Sequence, residues 1–252
     1  MTQQLFILTG ASRGMGAAMA EQLLAPGHVL LCLSRRTNEA LAERARAAGI
    51  ACTQWEADLA HPVEAAARLQ AWIAALDAGA FSAATLINNA AALTRIGAVD
   101  ECDDTELSAA LRVGLEAPVL LTAAFLRATR GWAADKRVLN ISSGLGRRAM
   151  AGSGSYCAVK AGLDHFTRAL ALDEAPRANG ARVASLAPGV IDTDMQVQLR
   201  SADAAGFPDL ASFQALKDKG LLTSPVDAAA RVLAYLDRSD FGANPIADVR
   251  DT

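Results

Sequence analysis

Short, continuously apolar runs alternate with helix-periodic segments along the whole chain, and that alternation leaves few folds open. Leu5–Thr9, Val29–Leu33, Ala51–Gln54, Thr85–Ile87, Val138–Ile141 and Val183–Leu186 read as strands, with a short last one near Ile246. Helical spacing covers Gly14–Leu24, Asn38–Ala48, Val63–Leu76, Thr105–Thr129, Ser155–Leu172 and Pro225–Asp237, while Asp192 to Ser224 reads as irregular. Strands apolar on both faces and separated by helices belong in a parallel sheet covered on both sides. The expectation is an α/β fold: a doubly wound parallel sheet of about seven strands with helices on both faces. No Pro/Gly/Ser-rich linker or charge block divides the 252 residues, so one domain over 1–252 is expected, long enough to bury a large core.

Glycine and polar motifs fall just after strands: Gly10–Gly16, Ser34–Arg36, Asp58, Asn88, Ser143 and Pro188–Thr193. Ligands of open α/β sheets bind beyond the carboxyl ends of the strands, as in Rossmann-like folds. The turn Thr9-Gly-Ala-Ser-Arg-Gly-Met-Gly16 joins the first strand to the first helix, with Ser12, Arg13 and Met15 between glycines 10, 14 and 16. Such glycines let a pyrophosphate approach the backbone at a helix N-terminus, where free N–H groups and the dipole favour anions. No Gly-Lys-Ser/Thr follows, so this is not a P-loop. An NAD site places Asp or Glu after the second strand for the ribose 2′-hydroxyl. This chain has Arg35 and Arg36 there, plus Arg13 in the turn, and guanidinium forks suit a 2′-phosphate. NADP(H) is therefore expected over NAD(H), with Asp58-Leu59 placed to meet the adenine.

Tyr156 and Lys160 are four residues apart and share one helix face. Ser143 ends the preceding strand. A hydroxyl that holds a carbonyl oxygen against a phenol, with an ammonium beside the phenol, suits protonation of a carbonyl as a hydride arrives.

Other functions are excluded by composition. The formal net charge is −3 and no Lys/Arg run stands out, Arg147-Arg148 being only a pair that reads as a solvated loop, so no nucleic-acid face is expected. Cys32, Cys52, Cys102 and Cys157 are scattered, reading as reduced thiols of a cytoplasmic protein, with Cys157 a packing residue. His28, His61 and His165 are too dispersed for a metal site. The N-terminus lacks a signal-peptide pattern, and no 18-residue apolar stretch is expected to span a membrane.

The glycine turn, Asn88-Asn89-Ala90, Ser143, Tyr156-x-x-x-Lys160 and Pro188-Gly189 followed by Thr193 together resemble the short-chain dehydrogenase/reductase family, in order and spacing, across essentially the whole chain. Within it, Ser34–Leu41, Pro188–Gln196 and the ending Ala247–Thr252 look most like the subgroup of sepiapterin reductases and bacterial benzil reductases. The resemblance implies that Tyr156 is the general acid and that Lys160 lowers its pKa from about 10 and holds nicotinamide ribose hydroxyls. It implies that Ser143 orients the substrate carbonyl. Asn88 and Ala90 would line the cofactor, and Pro188, Gly189, Val190, Ile191 and Thr193 would meet its nicotinamide end. Asp248 matches a carboxylate that anchors pterin in sepiapterin reductase; it reads equally as a solvated terminal Asp. The substrate pocket is expected from Leu145, Met150, Gly189, Val190, Met195 and Leu199, under a lid at about 192–224, with Arg147, Arg148 and Arg200 as cationic options. The implied activity is NADPH-dependent reduction of a small carbonyl compound, a ketone or dicarbonyl, by a homodimer or a tetramer.

Two departures bear on this. The family's Asn-Asn-Ala-Gly reads Asn88-Asn-Ala-Ala91, and Gly114 occupies the position of an Asn that completes a catalytic tetrad. Pro118, four residues on, has no N–H for the Gly114 carbonyl and is expected to kink the helix. That carbonyl could then hold a relay water reaching toward Lys160. Gly114 could instead be a packing glycine. It is also the one feature that favours a non-catalytic NADP-binding sensor; an NAD(P)-dependent alcohol dehydrogenase working in the oxidative direction is a further alternative.

Overall fold

A computed structural model describes residues 2–204 and 206–251; Met1, Ala205 within the expected lid, and Thr252 at the end of the last motif lie outside the described residues. The strands are β1 (Gln3–Thr9), β2 (His28–Ser34), β3 (Ala51–Glu56), β4 (Phe81–Asn88), β5 (Asp135–Ile141), β6 (Arg182–Ala187) and β7 (Ile246–Asp248). The helices are α1 (Gly14–Gln22), α2 (Glu39–Ala48), α3 (Pro62–Ala74), α4 (Asp104–Leu111), α5 (Ala117–Thr129), α6 (Gly154–Glu174), α7 (Asp194–Arg200), α8 (Leu210–Asp218) and α9 (Pro225–Leu236). All strands pair in parallel in the order β3-β2-β1-β4-β5-β6-β7. The order reverses between β1 and β4, the switch point where a crevice opens beyond the strand ends.

Alternation along each strand builds two cores. Leu5, Ile7, Leu31 and Leu33 face one side, against Leu69 and Ile73 of α3 and Leu121, Ala124 and Phe125 of α5. Phe6, Leu8, Leu30 and Cys32 face the other, against Met15 and Met19 of α1, Leu41 of α2 and Val232 and Leu236 of α9. This period of two on both faces is why the strands read as unbroken apolar runs. Each fully buried Leu or Ile contributes roughly 1.5–3 kcal/mol.

Three expectations need correction. The stretch from Asp192 to Ser224 is not irregular: it contains α7 and α8. Helices of seven and nine residues offer too few turns for a periodic pattern to stand out. Second, Pro118 does not break the long helix. Asp104–Thr129 runs on as 26 helical residues, and the missing N–H is absorbed by a π turn over Arg112–Glu116, where the Ala117 N–H reaches back to the Arg112 carbonyl. Third, that helix is by length and composition apolar enough to cross a membrane, with a mean hydropathy of 1.6 over its most apolar window. Its apolar residues Ala117, Leu121, Ala124 and Phe125 are wholly buried against the sheet and α3, which accounts for the composition.

Candidate active site

The carboxyl ends of the strands open into one cleft of about 1080 Å³. At one end lies the glycine turn. Gly10 has φ +72°, and a Cβ on Gly16 would overlap the Gly10 carbonyl, so the β1–α1 turn closes this tightly only with glycine there. Asn89 clamps the turn to β4: its Nδ2 donates to the carbonyls of Thr9 (3.0 Å) and Gly10 (3.3 Å). In return Thr9 Oγ1 accepts from the N–H groups of Asn89 and Ala90, each at 3.0 Å.

The residues present fit a dinucleotide. No side chain caps the α1 N-terminus, which leaves its N–H groups facing the cleft for a pyrophosphate. Gly10, Ser12, Arg13, Gly14, Met15 and Gly16 line that end. Arg35 and Arg36 lie exposed on the rim at the end of β2 and have no ionic partner among the described residues. Beside them the Ser34 hydroxyl is buried without a hydrogen-bond partner among those residues. Arg13 differs from the other two: it pairs with Asp194 of α7 at 2.9 Å. Asp58 and Leu59 line the same end, with Asp58 Oδ1 accepting the Ala60 N–H at 3.0 Å.

Asn88 does not bring its side chain into the cleft. Its Nδ2 donates inward to Asn140 Oδ1 (2.9 Å) and Thr122 Oγ1 (3.2 Å), and Asn140 passes the chain on to Thr167 of α6. Alternation at the strand end turns the side chain of 88 inward and that of 89 toward the cleft, so the side chain that lines it is Asn89 rather than the expected Asn88.

At the other end Ser143, Tyr156 and Lys160 converge on the cleft. Ser143 follows β5 and accepts the Leu145 N–H at 3.2 Å, which fixes the start of a short 3-10 turn. Tyr156 and Lys160 stand on the first turns of α6. Lys160 is 2% exposed and donates to the Ile141 carbonyl at 2.7 Å, its Nζ lying 5.5 Å from the centre of the Tyr156 ring. The expectation that Lys160 lowers the tyrosine pKa is not met here. Burial pushes the Tyr156 phenol up to about 12, with hydrogen bonding from Ser143 opposing it. Burial also brings Lys160 down to about 8, while the Asp164 carboxylate pulls it upward. The arrangement thus keeps the phenol protonated at neutral pH.

Ala90, Pro188, Gly189, Val190, Ile191 and Thr193 line the middle of the cleft, and Leu145, Met150, Met195, Leu199 and Asp248 its far end. Of the three cationic options only Arg148 faces it. Arg147 turns away to Asp164 (3.2 Å), the Ala247 carbonyl (2.9 Å) and Asp248 (3.9 Å), and Arg200 toward Asp192 (3.8 Å). Asp248 is not solvated: it is 6% exposed and gripped by Arg250 through both oxygens, at 2.6 and 2.8 Å. The neighbouring guanidinium holds its carboxyl below the usual range. Sequence reading missed Phe213, Arg250 and Ser153, which also line the cleft. The apolar spacing of α8 could have pointed to Phe213; Arg250 stood inside the ending Ala247–Thr252 but was given no role there, and Ser153 carried no motif.

Comparison with known proteins agrees with this geometry. A family model described as short chain dehydrogenase matches residues 4–204. Benzil reductase ((S)-benzoin forming) of Bacillus cereus is 34% identical over 235 residues, covering 93% of this chain and 94% of that protein. Sepiapterin reductase of Meriones unguiculatus is 33% identical over 258 aligned positions, covering 97% and 95%. Among solved structures, a 3-oxoacyl-[acyl-carrier protein] reductase from Brucella melitensis in complex with NAD superposes with a TM-score of 0.80 at 25% identity, over 99% of this chain and 96% of that one. With its switch-point cleft, glycine turn and Ser143–Tyr156–Lys160 cluster, the chain belongs to the short-chain dehydrogenase family of oxidoreductases.

Proposed function

We propose that this oxidoreductase is an NADPH-dependent carbonyl reductase acting on a compact ketone or dicarbonyl. The observation that carries the reading is the convergence of Ser143, Tyr156 and Lys160 on the cleft that also holds the glycine turn. A bound dinucleotide would supply the hydride from its nicotinamide ring. Tyr156 gives its proton to the carbonyl oxygen as the carbon is reduced. Ser143 and Tyr156 both hydrogen-bond the oxygen on which charge develops, the contribution that dominates such steps. Lys160 holds ribose hydroxyls and returns a proton to Tyr156. The Gly114 carbonyl serves as the water-holding group of that return path: Pro118 can donate to neither it nor Val113.

A phenol raised to about 12 favours the reductive direction over alcohol oxidation, which needs the phenolate. The sensor reading loses its support, because Gly114 has a packing reason: a Cβ there would lie 2.5 Å from Val159 Cγ1. NADPH over NADH is supported by Arg35 and Arg36, without an ionic partner among the described residues, beside the Ser34 hydroxyl, which has no hydrogen-bond partner among them. For the substrate, Asp248 is poorly suited to anchor a pterin because Arg250 already occupies both its oxygens. The apolar far end, with Leu93, Leu145, Met150, Met195 and Phe213, suits an aryl dicarbonyl such as the benzil that the Bacillus relative is named for. Exposed Leu111 and Leu172 on α4 and α6 support a homodimer, and the free thiols support a reducing cytoplasmic setting.

The test is NADPH consumption with aryl diketones. Tyr156→Phe should lose about 10²–10⁴-fold in kcat while NADPH still binds, as read by nucleotide fluorescence. Near wild-type turnover in that variant sinks the assignment. Replacing Arg35 and Arg36 by Ala should raise the KM for NADPH and leave that for NADH nearly unchanged; equal effects on both would refute the 2′-phosphate reading.

A further inference from the structure

A third hydroxyl faces the cleft beside the two that hold the carbonyl. Ser153 is the N-cap residue of α6, three residues before Tyr156, so the two side chains leave the same end of one helix face. It is 3% exposed, lines the cleft with Arg148 and Met150, and its hydroxyl has no hydrogen-bond partner among the described residues. It does not even cap its own helix. A Ser at an N-cap ordinarily turns its oxygen onto the N–H groups of the first turn, and a buried hydroxyl left alone costs free energy. An unspent donor in that place is explained by a ligand atom that takes it. Ser142, also buried, without a partner among the described residues and lining the cleft, is less suited: it precedes Ser143 in extended backbone, so its hydroxyl leaves the opposite side of the chain from that of Ser143.

We propose that Ser153 is the specificity-determining residue that selects vicinal dicarbonyls, by donating a hydrogen bond to the oxygen on the carbon next to the one reduced. This rests on the carbonyl-reductase reading. Ser143 and Tyr156 hold the first oxygen, whose carbon gains the hydride and which takes the Tyr156 proton. The second carbonyl stays intact and accepts from Ser153. A monoketone of the same skeleton puts a methylene against the Ser153 hydroxyl and leaves it unpaired, which penalises binding. Around it lie the apolar Met150 and Leu145, with Leu199 and Phe213 across the cleft; of the other polar groups lining the cleft there, Asp248 is engaged by Arg250 and Gln196 by Arg200, which leaves Ser153 and Arg148 open to a second oxygen.

The experiment compares 1-phenylpropane-1,2-dione with propiophenone, which differ only by a carbonyl in place of a methylene. The readout is the ratio of their kcat/KM values with NADPH. Ser153→Ala should lower that ratio about tenfold, the effect of deleting one neutral hydrogen bond. Ser153→Thr, which keeps the hydroxyl, should restore most of it, and circular dichroism checks that both variants fold. An unchanged ratio in Ser153→Ala overturns the proposal while leaving the reductase reading intact. A wild-type protein that reduces neither compound overturns both.

Discussion

In the proposed proton relay Lys160 supplies the charge, and its surroundings set the pH range over which it keeps it. Burial lowers its pKa to about 8, and the Asp164 carboxylate one turn along α6 works in the opposite sense. Asp164 is itself 1% exposed, held by Ser185 Oγ at 2.6 Å and Arg147 Nε at 3.2 Å. Below about pH 8 Lys160 is an ammonium; above it the charge is lost, whereas Tyr156 keeps its proton to about 12. The alkaline limb of kcat/KM for reduction should therefore follow Lys160, with activity falling as pH rises through about 8. Asp164→Asn removes the carboxylate that favours the ammonium, so the limb should move to lower pH. A limb that stays in place in this variant, or one that lies near 12, would contradict the assignment. These roles differ in how far they could be read from the chain alone. A four-residue spacing on a helix is a local fact, so Tyr156 and Lys160 were legible. The ties from Arg147 to Asp164 and the Ala247 carbonyl span 17 and 100 residues, and no local pattern encodes them.

At the scale of elements, the π turn and Gly114 are one device. Pro118 removes a donor from the middle of a long helix, and the turn over Arg112–Glu116 reroutes the bond without ending the helix. The same stretch crosses α6 at Val159, the residue before Lys160, with Gly114 buried in the contact. The proline was legible as a defect; its form was not, because whether a helix kinks or takes in a π turn depends on what packs against it. Gly114→Ala tests the contact. An Ala in a helix interior ordinarily gains about 1 kcal/mol over Gly. Here its Cβ would meet Val159 Cγ1 at 2.5 Å, and a β-branched side chain in a helix has little freedom to turn away. Overpacking of this kind costs about 1–3 kcal/mol, so the variant should lose stability in urea unfolding and lose reductase activity as α6 is displaced. Pairing it with Val159→Ala should restore part of both, the sign of two residues competing for one space. Gain of stability in Gly114→Ala alone would contradict the contact.

The whole molecule places chemistry on one rim because every strand is parallel and the order reverses between β1 and β4. That much follows from alternation of apolar runs and helices, and it explains why motifs met in sequence as separate fragments share a cleft. What alternation does not reveal is the cover over that cleft, because it has no strand in it and its helices are short. Val190 to Thr223 leaves and returns at one point: Thr223 donates its N–H to the Val190 carbonyl and Asp192 its N–H to the Thr223 carbonyl, both at 2.9 Å. Within that closed base α7 and α8 turn Met195, Leu199 and Phe213 inward over the far end of the cleft. Its ties to the body are of two kinds: polar ones, from Gln198 to the Thr94 carbonyl at 3.0 Å and in the exposed pair of Arg13 and Asp194, and one small apolar cluster in which Leu199 and Phe207 are buried with Ile96 and Met150. An exposed ion pair contributes about 0–1 kcal/mol, so most of the hold comes from that one cluster, which is far smaller than the two cores on either side of the sheet. The cover should thus open more readily than the sheet beneath it. Hydrogen exchange provides the measurement. In the free protein, amides of α7 and α8 should exchange much faster than those of β1 and β4, with Asp192 and Thr223 protected as the fixed base. Adding NADPH with a diketone that fills the far end should slow α7 and α8 selectively, because the ligand gives Met195, Leu199 and Phe213 a surface to close on. Exchange of α7 and α8 as slow as the sheet in the free protein, or unchanged on ligand addition, would mean that the cover is a rigid wall and that substrate enters by another route.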